Sequence, residues 1–111
     1  ILVSAGYDIY CSDPLGTMNV TPHGFYTMAK VLVRLADELC GGRILFALEG
    51  GYQPEGLAKS VLYTLKALCH NDCQEIKTPG NRKTSTGIFS NTQQIVERVK
   101  KIHSHTWKFN V

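Results

Sequence analysis

Two short apolar runs enclose one helix pattern, and this order constrains the fold more than any other feature of the sequence. Residues 1–5 and 43–48 are largely apolar, as strands covered on both faces are. Between them, Thr21 and Pro22 are typical of a helix start, and a glycine pair beginning at Gly41 is typical of a helix end. Two strands joined by a helix of this length pair in parallel with a right-handed crossover. The sequence therefore predicts an α/β fold with a parallel sheet.

The rest of the chain predicts two further helices separated by a polar stretch. Pro54 opens the first of them, which we expect to end near residues 69–71. The polar stretch carries a Pro-Gly pair and is typical of a surface connection. Ser90 and Gln93 have the spacing of a capping box, which places the final helix after Ser90. The predicted division is residues 1–71, a connection at 72–89, and a helix and tail of the same domain at 90–111.

Apolar residues recur at steps of three and four along the first two helices, so each is expected to bury one stripe against the core. In the helix beginning at Pro22 the predicted stripe is Phe25, Met28, Ala29, Leu32, Leu35, Ala36 and Leu39. In the helix beginning at Pro54 it is Leu57, Ala58, Val61, Leu62, Leu65 and Leu68.

Composition and charge exclude several classes of partner. The 111 residues carry a formal net charge of +3, and the basic residues are not interleaved with stacking aromatics, so nucleic acid is not an expected partner. No apolar run approaches the ~20 residues that span a bilayer, so no membrane association is expected either. The four cysteines form no Cys-x-x-Cys pair, which favours reduced thiols in a cytoplasmic protein.

Each predicted strand ends in a short polar tip. Asp8 follows the first strand, and Glu49, Gly50, Gly51 and Tyr52 follow the second. Ligands bind beyond the carboxyl ends of the strands in an open parallel sheet. An ionised carboxylate at such a position needs backbone N–H groups, a basic side chain or a cation as its partner. The glycine-rich tip is compatible with a tight turn, with an anion cradle at a helix N-terminus, or with a phenol held over a reacting carbonyl.

Three ordered motifs distinguish among these alternatives. Residues 6–16 read Gly-Tyr-Asp-x4-Asp-Pro-Leu-Gly, residues 19–25 read Asn-Val-Thr-Pro-x-Gly-Phe, and residues 48–52 read Leu-Glu-Gly-Gly-Tyr. Together they resemble the zinc-dependent histone deacetylase superfamily, which includes acetylpolyamine amidohydrolases and acetoin-utilisation-type proteins. The Glu-Gly-Gly-Tyr form is most similar to the class II and bacterial branches. The resemblance runs over residues 1–68 and implies a fragment of an arginase/deacetylase-like three-layer fold, with residues 1–71 as the C-terminal portion of the catalytic domain.

The resemblance also implies roles for individual residues. Asp8 matches an aspartate ligand of the catalytic zinc ion, Zn²⁺. Tyr52 matches the catalytic tyrosine that polarises the acetamide carbonyl and stabilises the oxyanion. Leu15 matches a residue that lines the acyl-lysine tunnel, and Gly50 and Gly51 match its narrow floor. The implied substrate is an acetylated protein lysine or a small acetylated amine.

Two motifs of the family are missing from this sequence. An Asp-x-His motif supplies two further zinc ligands and a His-His pair supplies the general base, and neither occurs here. The resemblance thus implies roughly the last third of such an enzyme, which is expected to be inactive without the N-terminal part of the same domain. Two alternatives stay open at this point: a non-catalytic scaffold of the same fold, and an unrelated nucleotide-binding domain that uses residues 49–52 as a phosphate loop.

Other polar residues receive structural interpretations. Asp13 is expected to cap its own loop and has no metal role. Thr17 stands where the family usually has a second glycine, so the local loop shape can differ from that of the family. His23 is expected on the surface of the first helix turn, and His103 and His105 are expected to face solvent.

Overall fold

A computed structural model of the chain describes residues 1–69 and 86–107, which belong to two separate compact units. Within these ranges, the first unit contains two strands and two helices in alternating order, as the sequence predicts, and the second contains one helix. The elements are β1 (Leu2–Ala5), α1 (Pro22–Cys40), β2 (Leu45–Leu48), α2 (Pro54–Leu68) and α3 (Thr86–His103).

Strands β1 and β2 form a parallel pair, which confirms the predicted topology. Leu2 pairs with Leu45, and Ala5 pairs with Leu48. The ladder continues past the strand ends, because the Leu45 N–H donates to the Ile1 carbonyl at 3.0 Å. Each strand is shorter at its start than the predicted run.

Helix α1 begins and ends where the sequence predicts. The Thr21 hydroxyl accepts a hydrogen bond from the Gly24 N–H at 3.2 Å, and Pro22 occupies the first turn, where its missing N–H costs nothing. At the other end, Gly41 adopts a left-handed conformation with a φ of 60°, which reverses the chain toward β2.

Helix α2 also begins at its predicted proline, with the Gln53 side chain as the cap that accepts from the Gly56 N–H. It ends at Leu68, so the predicted end is right to within a residue. Glu55 lies in its first turn and Lys66 in its last, the arrangement that a helix dipole favours.

The two helices of the first unit pack against each other through small and aromatic side chains. The core cluster consists of Tyr26, Ala29, Tyr63 and Ala67, with Phe46 of β2 packed against it. Ser60 is fully buried as well. Because alanine and serine have short side chains, the two helix backbones can approach closely along this contact.

The buried face of α2 differs from the predicted stripe. Leu62 and Leu65 are each 50% exposed, whereas Tyr63 and Thr64 are buried. Periodicity located the apolar side of the helix, but α1 contacts the neighbouring side, where Tyr63 lies among small residues. The residues of α2 buried in the structure are Gly56, Ser60, Tyr63, Thr64 and Ala67.

The predicted stripe of α1 is partly right. Phe25, Ala29 and Ala36 are buried as expected, while Met28, Leu35 and Leu39 are exposed. The structure adds Tyr26 and Val33 to the buried face. The apolar surface of α1 is thus wider than the part that α2 covers.

The part of the chain that the structure describes covers one face of the sheet, whereas the sequence pattern predicts strands that are covered on both faces. Val3 and Ala5 of β1 line a cavity of about 180 Å³ together with Phe46, Phe25 and other residues of α1 and α2. On the opposite face, Leu2 is 85% exposed, and its partner Leu45 is exposed as well.

Helix α3 forms the second unit and begins at Thr86, so the capping box predicted at Ser90 lies inside the helix and its assignment is wrong. A serine is tolerated in a helix interior. Residues 87–90 contain no proline, so nothing in the sequence prevents the helix from starting before Ser90. Ile95, Val99 and Ile102 lie on one stripe and are exposed. No helix in the described ranges is both long enough and apolar enough to cross a bilayer.

Candidate functional site

The two strand tips lie side by side, because the hydrogen-bond ladder of the sheet continues into them. The Glu49 N–H donates to the Ala5 carbonyl at 3.1 Å, and the Tyr7 N–H donates to the Gly50 carbonyl at 2.8 Å. The loop after β1 and the loop after β2 are therefore in direct backbone contact at the carboxyl edge of the sheet, where an α/β protein places its ligands.

The Asp8 carboxylate packs against Gly50. A Cβ atom built on Gly50 would lie 2.6 Å from Asp8 Oδ2 and 2.8 Å from its Cγ, closer than Cβ contacts in proteins. Any side chain at position 50 would therefore displace the carboxylate. This contact joins two of the residues that the sequence predicts for the site.

Gly51 turns the second loop back toward the body of the first unit. Its φ of 137° is a conformation that residues with a side chain rarely adopt. A Cβ atom there would lie 2.8 Å from Leu57 Cδ1 and 3.1 Å from Tyr7 Cβ. The space that Gly51 leaves free is thus filled by protein from α2 and from the first loop.

The loop that carries Asp8 is closed by its own backbone. The Cys11 N–H donates to the Val20 carbonyl at 3.0 Å, and the Val20 N–H donates to the Ile9 carbonyl at 3.0 Å. These bonds bring the end of the loop back beside its beginning. The intervening residues, which include Asp13, therefore form a closed loop.

Tyr7 fixes this loop to the helices. Its side chain is 5% exposed and its ring lies 5.0 Å from the ring of Phe25. Its hydroxyl donates to Thr64 Oγ1 at 3.1 Å, and Thr64 donates in turn to the Ser60 carbonyl at 3.1 Å. Sequence reasoning gave Tyr7 no role of its own. Its position directly before Asp8 was the only available signal.

Asp13 caps its own loop, as the sequence predicts. Its Oδ1 accepts from the Leu15 N–H at 2.9 Å and from the Gly16 N–H at 3.1 Å. A second role was missed: Oδ2 accepts from the Tyr52 N–H at 2.7 Å, across 39 residues of sequence. An Asp-Pro-Leu-Gly sequence signals a turn, but nothing in it signals a bond to a distant loop.

The environment of Asp13 favours its ionised form. Burial by itself would raise the pKa of Asp13, but backbone N–H groups of Tyr52, Leu15, Gly16 and Gln53 oppose this and lower the pKa below its ordinary value. A carboxylate that accepts several backbone N–H bonds is stabilised in its charged form. Asp13 therefore acts as a fixed acceptor between the two loops.

Leu15 and Tyr52 are consequently tied to one carboxylate through their backbones, while their side chains remain open. Leu15 is 69% exposed and Tyr52 is 55% exposed. Their assigned functions, like those of Asp8, Gly50 and Gly51, stay predictions.

One carboxylate alone does not make a zinc site. Within residues 1–69 and 86–107, no three His, Cys, Asp or Glu side chains are grouped so that they could hold a metal ion. Asp8 is half-buried at the strand edge and fits a zinc site as one ligand. A complete site needs further ligands, since catalytic zinc sites use three protein ligands and one open position.

The described histidines are His23, in the first turn of α1, and His103 and His105 in the second unit. The ring of His23 stacks on Tyr26 at a centroid distance of 5.7 Å, and its Nδ1 is buried without a hydrogen-bond partner, so the residue predicted to lie on the surface is half-buried. His103 and His105 are exposed, which confirms their prediction.

The cysteines of the described ranges, Cys11, Cys40 and Cys69, are free thiols, as predicted. Cys73 and the Pro-Gly pair of the polar stretch lie outside the described residues.

Comparison with known proteins identifies the family of these motifs. The histone deacetylase domain matches residues 1–68. Histone deacetylase 14, chloroplastic, of Arabidopsis thaliana is 39% identical over 103 residues, which cover 93% of this chain and 24% of that protein. Human polyamine deacetylase HDAC10 is 40% identical over 79 residues, which cover 71% of this chain and 11% of that protein.

A solved structure gives the same result for the fold. The histone deacetylase Clr3 superimposes with a TM-score of 0.72 at 22% identity, over 99% of this chain and 18% of that one. The predicted deacetylase-like α/β fold is therefore confirmed. The chain spans a quarter or less of the length of these relatives. On the match to residues 1–68 and on its similarity to these deacetylases, the chain belongs to the histone deacetylase family.

Proposed function

We propose that this chain provides the C-terminal part of a zinc-dependent deacetylase that hydrolyses N-acetyl amides, either of acetylated protein lysines or of small acetylated amines. The observation that carries the proposal is the contact between the Asp8 carboxylate and the loop of Tyr52 at the carboxyl edge of the sheet. The relatives supply the substrate classes, because their names include histone and polyamine deacetylases.

Within this proposal, Asp8 is one ligand of the zinc ion, and the other ligands come from the remainder of the catalytic domain. Zinc, when bound, supplies Lewis acid chemistry toward the amide carbonyl. The Gly50 backbone lies against the carboxylate and prevents it from turning in that direction. The chain by itself is therefore expected to bind zinc weakly and to have no deacetylase activity.

Tyr52 is the proposed catalytic residue. Its hydroxyl donates a hydrogen bond to the carbonyl oxygen as that oxygen gains negative charge, and such a donor is most effective when the protein holds it in place beforehand. Leu15, Gly50 and Gly51 are the proposed substrate-binding residues. The exposed Leu15 side chain is available for contact with an acyl-lysine stem. The predicted cytoplasmic location stays a prediction, since a relative is described as chloroplastic.

The test uses the complete protein that contains this segment, with acetyl-lysine peptides and N-acetylated polyamines as substrates. Tyr52→Phe removes only the hydroxyl and is expected to lower kcat by about 10²–10³-fold, the usual cost of one oxyanion donor. Its zinc content should stay at the wild-type level. Asp8→Asn is expected to lower zinc content and activity together, and Glu38→Gln, an exposed change on α1, serves as the matched control.

Two results would contradict the proposal. One is a complete protein whose activity survives both Tyr52→Phe and Asp8→Asn. The other is turnover of an acetyl-lysine substrate by the 111-residue chain alone, blocked by a hydroxamate inhibitor. A complete protein that neither binds zinc nor deacetylates would instead support the scaffold alternative.

A further inference from the structure

We propose that Asp13 is a positioning residue for Tyr52: it holds the backbone of the catalytic loop against the loop that carries Leu15. The inference rests on the proposed function of Tyr52. It adds a residue for which the motif comparison gave only a turn-forming role.

The two oxygens of the Asp13 carboxylate bond to different loops. Oδ1 accepts from Leu15 and Gly16 at 2.9 and 3.1 Å, while Oδ2 accepts from Tyr52 at 2.7 Å. The side chain is 8% exposed, so water competes little for these oxygens. The short bond to Tyr52 is of the charge-assisted type, which is stronger than a bond between neutral groups.

Tyr52 needs such an anchor because of its neighbours in the chain. Gly50 and Gly51 precede it, and glycines restrain the backbone least of all residues. The Tyr52 side chain is more than half exposed, and no hydrogen bond to its hydroxyl occurs within the described residues. The hydrogen bond from the Tyr52 N–H to Asp13 therefore fixes the backbone position from which the Tyr52 side chain extends.

Both oxygens of the carboxylate are required at once. A carboxylate only accepts, whereas an asparagine amide has one accepting oxygen and one donating nitrogen. In Asp13→Asn, the amide NH₂ group must therefore replace one of the two oxygens. The backbone N–H groups of one loop then face another donor and lose their acceptor. The variant keeps the size of the side chain and loses the bond on one side, which makes it the sharpest available test.

The experiment is a double-mutant cycle on kcat in the complete protein, with Asp13→Asn, Tyr52→Phe and the combined variant. If Asp13 acts through the Tyr52 hydroxyl, Asp13→Asn lowers kcat by about 10–100-fold in the wild-type background, the scale expected when a catalytic group is misplaced by about 1 Å. In the Tyr52→Phe background the same change is expected to cost less than about threefold, since no hydroxyl remains to be positioned.

A second readout is independent of catalysis. Amide hydrogen exchange of residues 49–53 should become faster in Asp13→Asn than in Glu38→Gln, with zinc content unchanged in both variants. Asp13→Glu provides a second variant if Asp13→Asn does not fold. It keeps both oxygens but lengthens the side chain, and it is expected to show the same coupling to Tyr52.

The outcomes separate this inference from the proposed function. An equal loss of kcat in both backgrounds, or unchanged exchange at residues 49–53, would overturn the positioning role while leaving the proposed function intact. A Tyr52→Phe variant with wild-type kcat would overturn the proposed function itself, and the positioning role with it.

Discussion

The loops that follow the two strands, residues 6–20 and 49–53, differ in their contacts from the apolar flanks of the same unit. The apolar flanks are the exposed apolar faces of the sheet and of helices α1 and α2. In the loops, backbone groups pair with each other and with Asp13 over distances of 2.7–3.1 Å. On the flanks, large side chains lie open: Leu2 on the sheet, Leu35 and Leu39 on α1, and Leu62 and Leu65 on α2.

This difference separates what the chain completes by itself from what it leaves open. Hydrogen bonds between the loops form within the described residues and hold the backbones of the two loops together. Parallel strands, in contrast, are normally covered on both faces, and apolar surface of this extent marks a place of contact. We therefore expect changes in the loops to affect catalysis and changes on the flanks to affect assembly.

Among the changes that test this difference between loops and flanks, Gly50→Ala in the complete protein should have the strongest effect. The added methyl group would lie 2.6 Å from Asp8 Oδ2, so the carboxylate must move. We expect kcat/KM to fall by about 100-fold, together with a loss of bound zinc. Steady-state kinetics and metal analysis provide the measurement.

Gly41→Ala is the matched control for that variant. It forces an alanine into a left-handed conformation with a φ of 60° at the end of α1, which costs stability on the order of 1 kcal/mol. It should leave zinc content and kcat unchanged. A loss of activity in Gly41→Ala equal to that in Gly50→Ala would mean that general destabilisation, and not the contact with Asp8, explains the effect.

An intermediate effect is expected for Leu62→Ala and Leu65→Ala. If the remainder of the domain covers this flank of α2, each change lowers the free energy of unfolding of the complete protein by about 2–5 kcal/mol. The control is Lys59→Ala, an exposed position one turn before Leu62. It should change the free energy of unfolding by less than about 0.5 kcal/mol. Urea unfolding gives the comparison.

A cost below about 0.5 kcal/mol for both leucines would mean that the flank stays in water in the complete protein. The chain alone provides a second check of the same surface. With its flanks open, it should self-associate or melt without cooperativity, and a sharp melting transition as a monomer would contradict this expectation.

The smallest effect concerns the connection between the loops and the helices, the Tyr7–Thr64 hydrogen bond. Tyr7→Phe and Thr64→Val in the complete protein should show a coupling energy of about 1 kcal/mol, because the bond is buried and its loss leaves a polar group unpaired. Thr27→Val is the control, since the Thr27 hydroxyl also bonds a carbonyl one turn back but is exposed. A coupling near zero would mean that this hydrogen bond does not help to fix the loops to the helices.

Sequence reasoning succeeded where the signals are local. The Thr21 cap, the Gly41 end and the start of α2 at Pro54 depend on groups three or four residues apart, and they were predicted correctly. It failed at Ser90, where a capping-box spacing lies inside a helix. The two residues alone cannot distinguish a helix start from a helix interior.

The candidate site shows the same division. The motifs singled out Asp8 and Tyr52 from their positions after strands, and the parallel pairing brought their loops together. The second bond of Asp13 was not predictable, because it joins residues that are 39 positions apart and depends on the path of the chain between them.

Local sequence signals were enough to predict the order of strands and helices, the ends of α1, the start of α2 and the motifs that mark the deacetylase family. These features follow from caps, turns and apolar periodicity, whose physical range is a few residues. Tertiary contacts were needed to establish which face of each helix is buried, why a side chain at position 50 would displace the Asp8 carboxylate, and which carboxylate bonds to the Tyr52 loop. Those features arise from contacts between segments that are distant along the chain, and such contacts exist only once the strands have paired and the helices have packed.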